Sequence, residues 1–200
     1  MFDRIARRIN EVFTRRDLQK PKTVPKDQKY RFLIFEISFS HAVKRRFDAL
    51  TRFSNDPVWK QLSIRNIRLP EEQYELTLLY NKIFLASPDP TRPISVEEAA
   101  TFPADRTFVA ELWGTLCGFI YLSIDQHPLK PELKTGIVSG IGVLPRFRGK
   151  RIGVALLCKA VEFFEKFNPD TVIAEIYEKN FASQQLFSSF GFKCIGESYF

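Results

Sequence analysis

The segment from Arg146 to Gly153 carries the residue types that proteins use to bind anions. Its sequence, RFRGKRIG, holds four positive charges within six residues and two glycines. An apolar stretch that predicts a strand leads into it, and an apolar, periodic stretch that predicts a helix follows it. The first amide groups of a helix have no partner inside the helix, so they attract negative groups such as a pyrophosphate. Taken alone, the segment fits either a phosphate site or an ordinary solvated turn.

A second segment places polar residues at the end of a strand and on the helix that follows. Residues 171–180, TVIAEIYEKN, predict a strand followed by Asn180, and the next ten residues, FASQQLFSSF, predict a helix closed by Gly191. Glu175 lies inside the strand. A carboxylate at this position is either a solvent-facing strand residue or a proton acceptor for chemistry.

The two segments together resemble the GNAT superfamily of N-acetyltransferases. The resemblance rests on Arg148-Gly-Lys-Arg-Ile-Gly153, followed by Asn180-x-x-Ser183-x-x-Leu186-Phe187-x-x-x-Gly191-Phe192. Upstream, residues 109–120 (VAELWGTLCGFI) are similar to the central hairpin of that family. The likeness runs from about residue 62 to the C-terminus and is specific because the motifs occur together, in order and at the right separation.

This resemblance implies a fold, a reaction and a cofactor. The fold is α/β (α+β), with a central mixed, mostly antiparallel sheet flanked by helices. The reaction is direct attack by a neutral amine on the thioester of acetyl-CoA, which serves as co-substrate without a metal. The resemblance assigns the cofactor to Ile141, Gly142, Val143, Arg148, Gly149, Lys150, Arg151, Ile152, Gly153, Val154, Asn180, Ser183 and Phe187.

The resemblance also suggests catalytic residues, and the sequence departs from the family pattern in three places. Glu175 stands where several members that modify protein amino termini keep a proposed general base. Phe187 replaces the tyrosine that commonly protonates the departing thiolate, which leaves Tyr177, Ser188, water or no group for that task. Arg151 replaces a frequent glycine, and the last strand of the usual fold has no counterpart before Phe200.

The acceptor and even the activity stay open at this point. The acceptor is an amine-bearing small molecule or polypeptide, with protein and peptide amino groups among the options. Two loops, residues 87–93 and 125–134, are expected to shape its pocket, and Glu111, Tyr121, Asp125 and His127 are further, weak candidates for residues near it. The alternatives are a non-catalytic CoA-binding or regulatory module, or an acetyltransferase that its basic N-terminal region targets to RNA or a membrane.

The regular pattern of elements begins at about residue 62. The resemblance assigns residues 62–200 to a GNAT-like domain, and residues 1–61 form an extension. The extension is predicted to hold a basic amphipathic helix (2–16), a polar linker (18–29), a strand (30–40) and a helix (41–53). We hypothesise that the strand closes the sheet edge that the missing terminal strand leaves open, because unpaired edges are a liability. The predicted elements of the domain are strands at 62–69, 107–112, 115–122, 136–144, 171–177 and 192–196, and helices at 70–85, 95–100, 152–167 and 181–190.

The charge distribution and the cysteine content limit which environments and partners are expected for the protein. Residues 1–70 hold 17 Lys and Arg against 7 Asp and Glu, so a net positive surface belongs to this third of the chain. It fits either a nucleic-acid footprint or, more often, a charged surface over an aromatic core. The odd number of cysteines and the lack of an apolar run of membrane length predict buried free thiols, a cytoplasmic location and no transmembrane segment.

Overall fold

The computed structural model describes residues 30–199, which form one seven-stranded sheet with helices packed against it. The strands lie in the order β2-β3-β4-β5-β6-β1-β7, and all neighbouring pairs are antiparallel except β5 and β6. The predicted amphipathic helix and linker lie outside the described residues. The elements are β1 (Arg31–Ser38), α1 (Phe39–Phe53), α2 (Pro57–Gln61), β2 (Leu62–Asn66), α3 (Gln73–Leu85), α4 (Val96–Ala99), β3 (Thr107–Leu112), β4 (Thr115–Gln126), β5 (Lys134–Val143), α5 (Ile152–Glu165), β6 (Thr171–Tyr177), α6 (Phe181–Phe190) and β7 (Lys193–Tyr199).

The N-terminal strand β1 is an interior strand of the sheet. It pairs antiparallel with β6 on one side, where Ile34 faces Glu175, and with β7 on the other, where Ile34 faces Gly196. The strand therefore covers the free side of β6, as the sequence suggested, and β7 in turn pairs with the outer side of β1. The predicted boundary between an extension and a domain runs through this continuous sheet.

The composition of β1 explains its interior position. Ile34, Phe35 and Ile37 are all buried, so both faces of the strand are covered by protein. A strand that alternated apolar and polar residues would leave one face to solvent. The strand is shorter than predicted because helix α1 already begins at Phe39, whose amide donates to the carbonyl of Asp170 at 3.0 Å.

Helix α2 was not expected from the sequence. It is only five residues long and starts with a proline at its first position. The side chain of Asp56 accepts hydrogen bonds from the amides of Val58 (2.8 Å) and Trp59 (3.3 Å), which satisfies two of the free donors of the first turn. Five residues are too few for hydrophobic periodicity to reveal a helix, although the Asp-Pro start was a usable signal.

The hydrophobic core lies between the sheet and helices α3 and α5. Helix α5 buries most of its length, including Leu156, Leu157 and Phe164. Helix α3 packs Ile83 against β5 so closely at Gly142 that a Cβ there would lie 2.3 Å from the Ile83 Cγ2 atom. These contacts hold β5, and the turn that follows it, in a fixed position.

Candidate active site

Strands β5 and β6 begin as a parallel pair and then separate. Pairing joins residues 135–137 of β5 to residues 171–173 of β6 and, in the described part of the chain, goes no further. On their other sides both strands stay paired, β5 with β4 as far as Val143 and β6 with β1 as far as Tyr177. The facing edges of the two strands therefore present backbone groups that lack a strand partner. An extended polar chain placed between them would satisfy these groups in the manner of an added strand.

A cavity of about 160 Å³ lies in this gap between β5 and β6. Residues 137–141 of β5 and residues 174–176 of β6 form two of its walls. The start of α6 contributes Asn180, Ser183 and Phe187, three of the residues that the sequence motifs assigned to a cofactor. The parting of the strands thus creates both the backbone donors and the space beside them.

The turn between β5 and α5 shows why its glycines are needed. Gly149 has a φ of +78°, a left-handed conformation that favours glycine, and a Cβ there would meet nothing within 4 Å. Gly153 is required for close packing, because a Cβ there would lie 2.9 Å from the Leu186 Cδ2 atom of α6. Arg151, at the position where the family often has glycine, also takes a left-handed φ of 59°.

The first turn of α5 leaves backbone amides available to an anion. No side chain caps this helix, whereas Asn180 caps α6 and Asp56 caps α2. The first bond of the helix runs from the Ala155 amide to the Arg151 carbonyl at 3.2 Å, so the amides of residues 152–154 precede it. The helix dipole adds to the attraction for a negative group at this end.

The basic side chains of this turn hold the turn itself together. Arg148 donates from Nε to the Val143 carbonyl at 3.1 Å and reaches the Ala86 carbonyl after α3. Arg151 pairs with Asp56 at 3.2 Å, and its guanidinium lies 4.8 Å from the centre of the Phe53 ring. The positive charges therefore fix the turn to neighbouring elements and surround it with positive potential.

Glu175 lines the cavity from the middle of β6. Its Oε1 atom accepts a hydrogen bond from the Ser198 hydroxyl of β7 at 2.8 Å, across the intervening strand β1. Burial raises the pKa of Glu175 above the usual range of a carboxyl, and the Ser198 bond opposes part of that rise. A carboxyl whose pKa is raised and which lines a cavity is a candidate proton acceptor.

Phe187 and Tyr177 occupy different positions relative to the cavity. Phe187 lines it, is buried, and packs edge-on against Phe192 with ring centres 5.0 Å apart. Tyr177 is buried against the ring of Phe32, at 5.6 Å, and does not belong to the described lining residues. Ser188 is exposed on α6 and is also absent from that lining. The structure thus brings Glu175 and Phe187 together, and it leaves Tyr177 one contact away from the cavity.

Asn180 connects the cofactor motif to the loop after α3. Its Oδ1 accepts from the Ser183 amide at 3.0 Å, and its Nδ2 donates to Asp89 Oδ2 at 2.6 Å. Asp89 also accepts from the Ser87 hydroxyl and lines the cavity. Burial raises the pKa of Asp89, against the opposing effect of these two donors. Of the two loops expected to shape the pocket, residues 89–91 of the first do so, and no residue of the 125–134 loop lines it.

Several lining residues were missed in the sequence. Asp89 lies alone in a proline-rich loop, and nothing in its neighbours marks it as part of a site. Tyr80 and Phe84 follow the helical period of α3, which is equally typical of core residues. Tyr121 was a weak candidate from the sequence and does line the cavity.

The other weak candidates lie in structural clusters elsewhere. His127 is buried and hydrogen-bonds to Glu36 of β1. Its Nδ1 atom accepts hydrogen bonds from the amides of Leu129 and Lys130. Glu111 of β3 pairs with Arg65 of the neighbouring strand β2 at 3.0 Å. Both clusters join loops to strands and do not contact the cavity.

Basic side chains of the predicted nucleic-acid footprint are engaged within the protein. Arg45 donates to the Phe190 carbonyl at 3.0 Å, and Arg46 pairs with Glu165 at 3.1 Å. Arg65 binds Glu72 through both terminal nitrogens at 2.8 Å and holds the pKa of that carboxyl well below its usual range. These contacts offset much of the local charge, so nucleic-acid binding stays a prediction without a structural argument in its favour.

A family model of acetyltransferases, described as the GNAT family, matches residues 68–192, which is more than half of the chain. The chain belongs to the GNAT family of acetyltransferases. An uncharacterized N-acetyltransferase of Archaeoglobus fulgidus is 28% identical over 85 residues, a match that spans 42% of this chain and 58% of that protein. The chain therefore corresponds to little more than half of this relative.

Solved structures of GNAT acetyltransferases share the fold described above. A ribosomal-protein-alanine N-acetyltransferase from Brucella melitensis biovar Abortus 2308 superposes with a TM-score of 0.58, at 20% identity, over 70% of this chain and 97% of that chain. An aminoglycoside N-acetyltransferase in complex with CoA superposes with a TM-score of 0.53, at 22% identity, over 66% of this chain and 88% of that chain. At identities this low, the superpositions show a shared fold and nothing more.

Within residues 30–199 of this GNAT chain, no helix has the length and apolar character that a membrane crossing requires. Cys117 and Cys158 are buried free thiols, and Cys194 is an exposed one, which differs from the expectation that all three are buried.

Proposed function

We propose that this protein transfers an acetyl group from acetyl-CoA to an amine by direct attack, with the cofactor held between β5 and β6. The observation that carries the proposal is the gap between these strands, because it joins unpaired backbone groups, a cavity and the free amides of α5. The pantetheine arm would lie along β5 at residues 141–143. The pyrophosphate would face the amides of residues 149–154, with Asn180, Ser183 and Phe187 on the opposite side.

In this proposal Glu175 takes one proton from the ammonium form of the acceptor, and the neutral amine attacks. The amine nitrogen forms a bond to the thioester carbon, the C–S bond breaks, and the electron pair leaves with the CoA sulfur. The second amine proton is lost to solvent, from which the sulfur takes one up. An α-amino group with a pKa of ~8 is about one unit from neutrality at pH 7, whereas a lysine at ~10.4 requires ~4.6 kcal/mol for deprotonation. A buried carboxylate with a raised pKa provides a base for either acceptor.

The departing thiolate does not need a protein acid. Phe187 cannot donate a proton, and Tyr177 lies outside the described cavity lining, so it is the weaker of the two catalytic candidates. A thiolate is a tolerable leaving group because the pKa of a thiol is ~8.5. We therefore propose that water protonates the CoA sulfur.

A cytoplasmic location remains a prediction that rests on the free cysteine thiols.

The second candidate function is a non-catalytic CoA-binding module. The observation in its favour is Phe187, which cannot donate a proton and stands at the position of the usual catalytic acid. Cofactor binding is common to both functions and is tested first. Turnover distinguishes between them.

Replacing Gly149 by aspartate is expected to weaken acetyl-CoA binding at least tenfold. A side chain fits there without a clash, so the main effects are a negative charge beside the pyrophosphate and modest backbone strain. Gly149→Asn introduces the same shape without charge and tolerates the left-handed conformation, and we expect it to bind within threefold of wild type. Calorimetric titration with acetyl-CoA measures both variants.

Equal loss of affinity in Gly149→Asp and Gly149→Asn would mean that backbone geometry, and not charge, controls the site. Absence of acetyl-CoA binding by the unchanged protein would overturn the proposed function altogether.

A further inference from the structure

The walls of the cavity are aromatic, and its charged lining residues are both acidic. Eight of the described residues that line it are Phe or Tyr, among them Tyr80, Phe84 and Phe119. Asp89 and Glu175 are the charged members of the described lining, which contains no Lys, Arg or His. Aromatic faces carry partial negative charge, so rings and carboxylates together attract a cation and repel an anion.

The size of the cavity limits what enters it. Its volume of about 160 Å³ is close to the roughly 150 Å³ of an engineered apolar cavity that binds benzene. The acetyl-bearing end of the cofactor takes part of this space, so the acceptor can bring in at most one ring or one short aliphatic chain, and a folded surface does not fit. The acceptor must therefore insert a single stem of side-chain size.

Two polar groups on the loop after α3 lack a full set of partners. The Thr91 hydroxyl is buried in the cavity wall and has no hydrogen-bond partner among the described residues. The two side chains that donate to the Asp89 carboxylate, Ser87 and Asn180, both bond to Oδ2, so Oδ1 accepts from no side chain among the described residues. A buried hydroxyl without a partner is unfavourable, so a hydroxyl of this kind beside a cavity is a natural contact for a polar group of the ligand.

We propose that the acceptor is a primary amine, cationic in solution and carried on an apolar stem of about one ring, and that Asp89 and Thr91 recognise its nitrogen. This inference rests on the proposed acyl transfer. The rings hold the stem, Asp89 binds the ammonium form as it enters, and Thr91 Oγ1 hydrogen-bonds the nitrogen. Glu175 then takes the proton, which leaves the neutral amine facing the thioester. The same chemistry occurs in a free arylalkylamine and in a peptide with an apolar first residue.

The acceptor class is tested by comparing amines at saturating acetyl-CoA. We expect kcat/KM for 2-phenylethylamine to exceed that for 3-aminopropanoate by at least 100-fold, because a carboxylate on the stem enters an acidic, aromatic cavity. A hexapeptide that begins with phenylalanine and contains no lysine is the second arm, and the faster of the two substrates identifies the source. Turnover of 3-aminopropanoate at an equal or higher rate overturns the acceptor class while acyl transfer stands. Failure to bind acetyl-CoA in the same samples overturns the proposed function.

Two isosteric variants test the recognition residues. Asp89→Asn is expected to raise KM for 2-phenylethylamine about tenfold and to leave the Kd for acetyl-CoA unchanged, since it removes charge but keeps an oxygen acceptor for Asn180. Thr91→Val is expected to raise KM severalfold and also to raise Tm, because it removes a buried hydroxyl without a partner.

Thr77→Val is the matched control for the second variant. Thr77 is buried too, but its hydroxyl donates to the Gln73 carbonyl at 2.8 Å. We expect this control to lower Tm or leave it unchanged and to have no effect on KM. A Thr91→Val protein with lower Tm and normal KM would show that the hydroxyl has a partner already, and an unchanged KM in Asp89→Asn would exclude Asp89 from recognition.

Discussion

Replacing Glu175 by glutamine is expected to lower kcat/KM for acetyl transfer by about 10²–10⁴-fold, the usual contribution of a positioned general base. Glutamine keeps the shape of the side chain and still accepts a hydrogen bond from Ser198, but it cannot take a proton. Affinity for acetyl-CoA should not change, because the cofactor is assigned to β5 and the turn before α5. Initial rates of CoA release, together with calorimetry, separate the two effects.

The pH dependence provides the signature of this role. Because burial raises the pKa of Glu175, kcat/KM of the wild type should fall as pH drops through that value, and this acid limb should disappear in Glu175→Gln. Ser198→Ala removes a hydrogen bond that lowers the pKa of Glu175, so the acid limb should move to higher pH. A limb that stays in place in both variants would assign the titration to another group.

The thermal stability of the Glu175→Gln protein tests whether unfolding causes its loss of activity. A carboxyl whose pKa is raised by folding contributes stability below its unfolded pKa and loses that contribution as pH rises through the folded pKa. A neutral glutamine avoids this loss, so Glu175→Gln should unfold at the same or a higher temperature than wild type at pH 8. Glu197→Gln, on the exposed part of β7, is the matched control, and we expect it to change kcat/KM less than twofold.

Truncating Ile34 to alanine is expected to lower the free energy of unfolding by about 2–5 kcal/mol, the range for a buried Ile-to-Ala change. Ile34 is 1% exposed in the middle of β1, and the strands on both sides of it, β6 and β7, are paired to it. Urea denaturation followed by fluorescence or circular dichroism measures the change.

Ile195→Ala on the edge strand β7 makes the same chemical change at a site that is 37% exposed. It should cost less than about 1 kcal/mol. Equal effects of the two substitutions would contradict an interior position for β1. So would a protein lacking residues 1–40 that remains soluble and as stable as the full chain.

Local patterns in the sequence were sufficient to locate several elements correctly. The bounds of β3, β6 and α6 agree with prediction because each lies between strong stop signals, such as Trp113–Gly114 after β3 and Gly191 after α6. Helix α3 was predicted to start at Pro70 but starts at Gln73. Proline and acidic residues mark the region of a helix start more reliably than the residue itself.

Features that depend on the relation between two distant segments could not be predicted from the sequence. The separation of β5 from β6 after residue 137 is a relation between two strands, and neither strand shows it alone. The place of β1 between β6 and β7 depends in the same way on which edges the rest of the chain leaves open. Asp89 and Thr91 belong to the cavity through the fold of their loop, which a hydrogen bond from Asn180 to Asp89 joins to the start of α6.

Acetyl transfer itself is tested most directly by mass spectrometry of a reaction that contains the full chain, acetyl-CoA, 2-phenylethylamine and the phenylalanine-initiated hexapeptide. We expect an acetamide to accumulate on one of these amines, with one CoA thiol released for each acetamide formed, and the Glu175→Gln protein to form far less. Tight binding of acetyl-CoA without acetamide on these or any other amine would contradict an enzyme and leave a CoA-binding module.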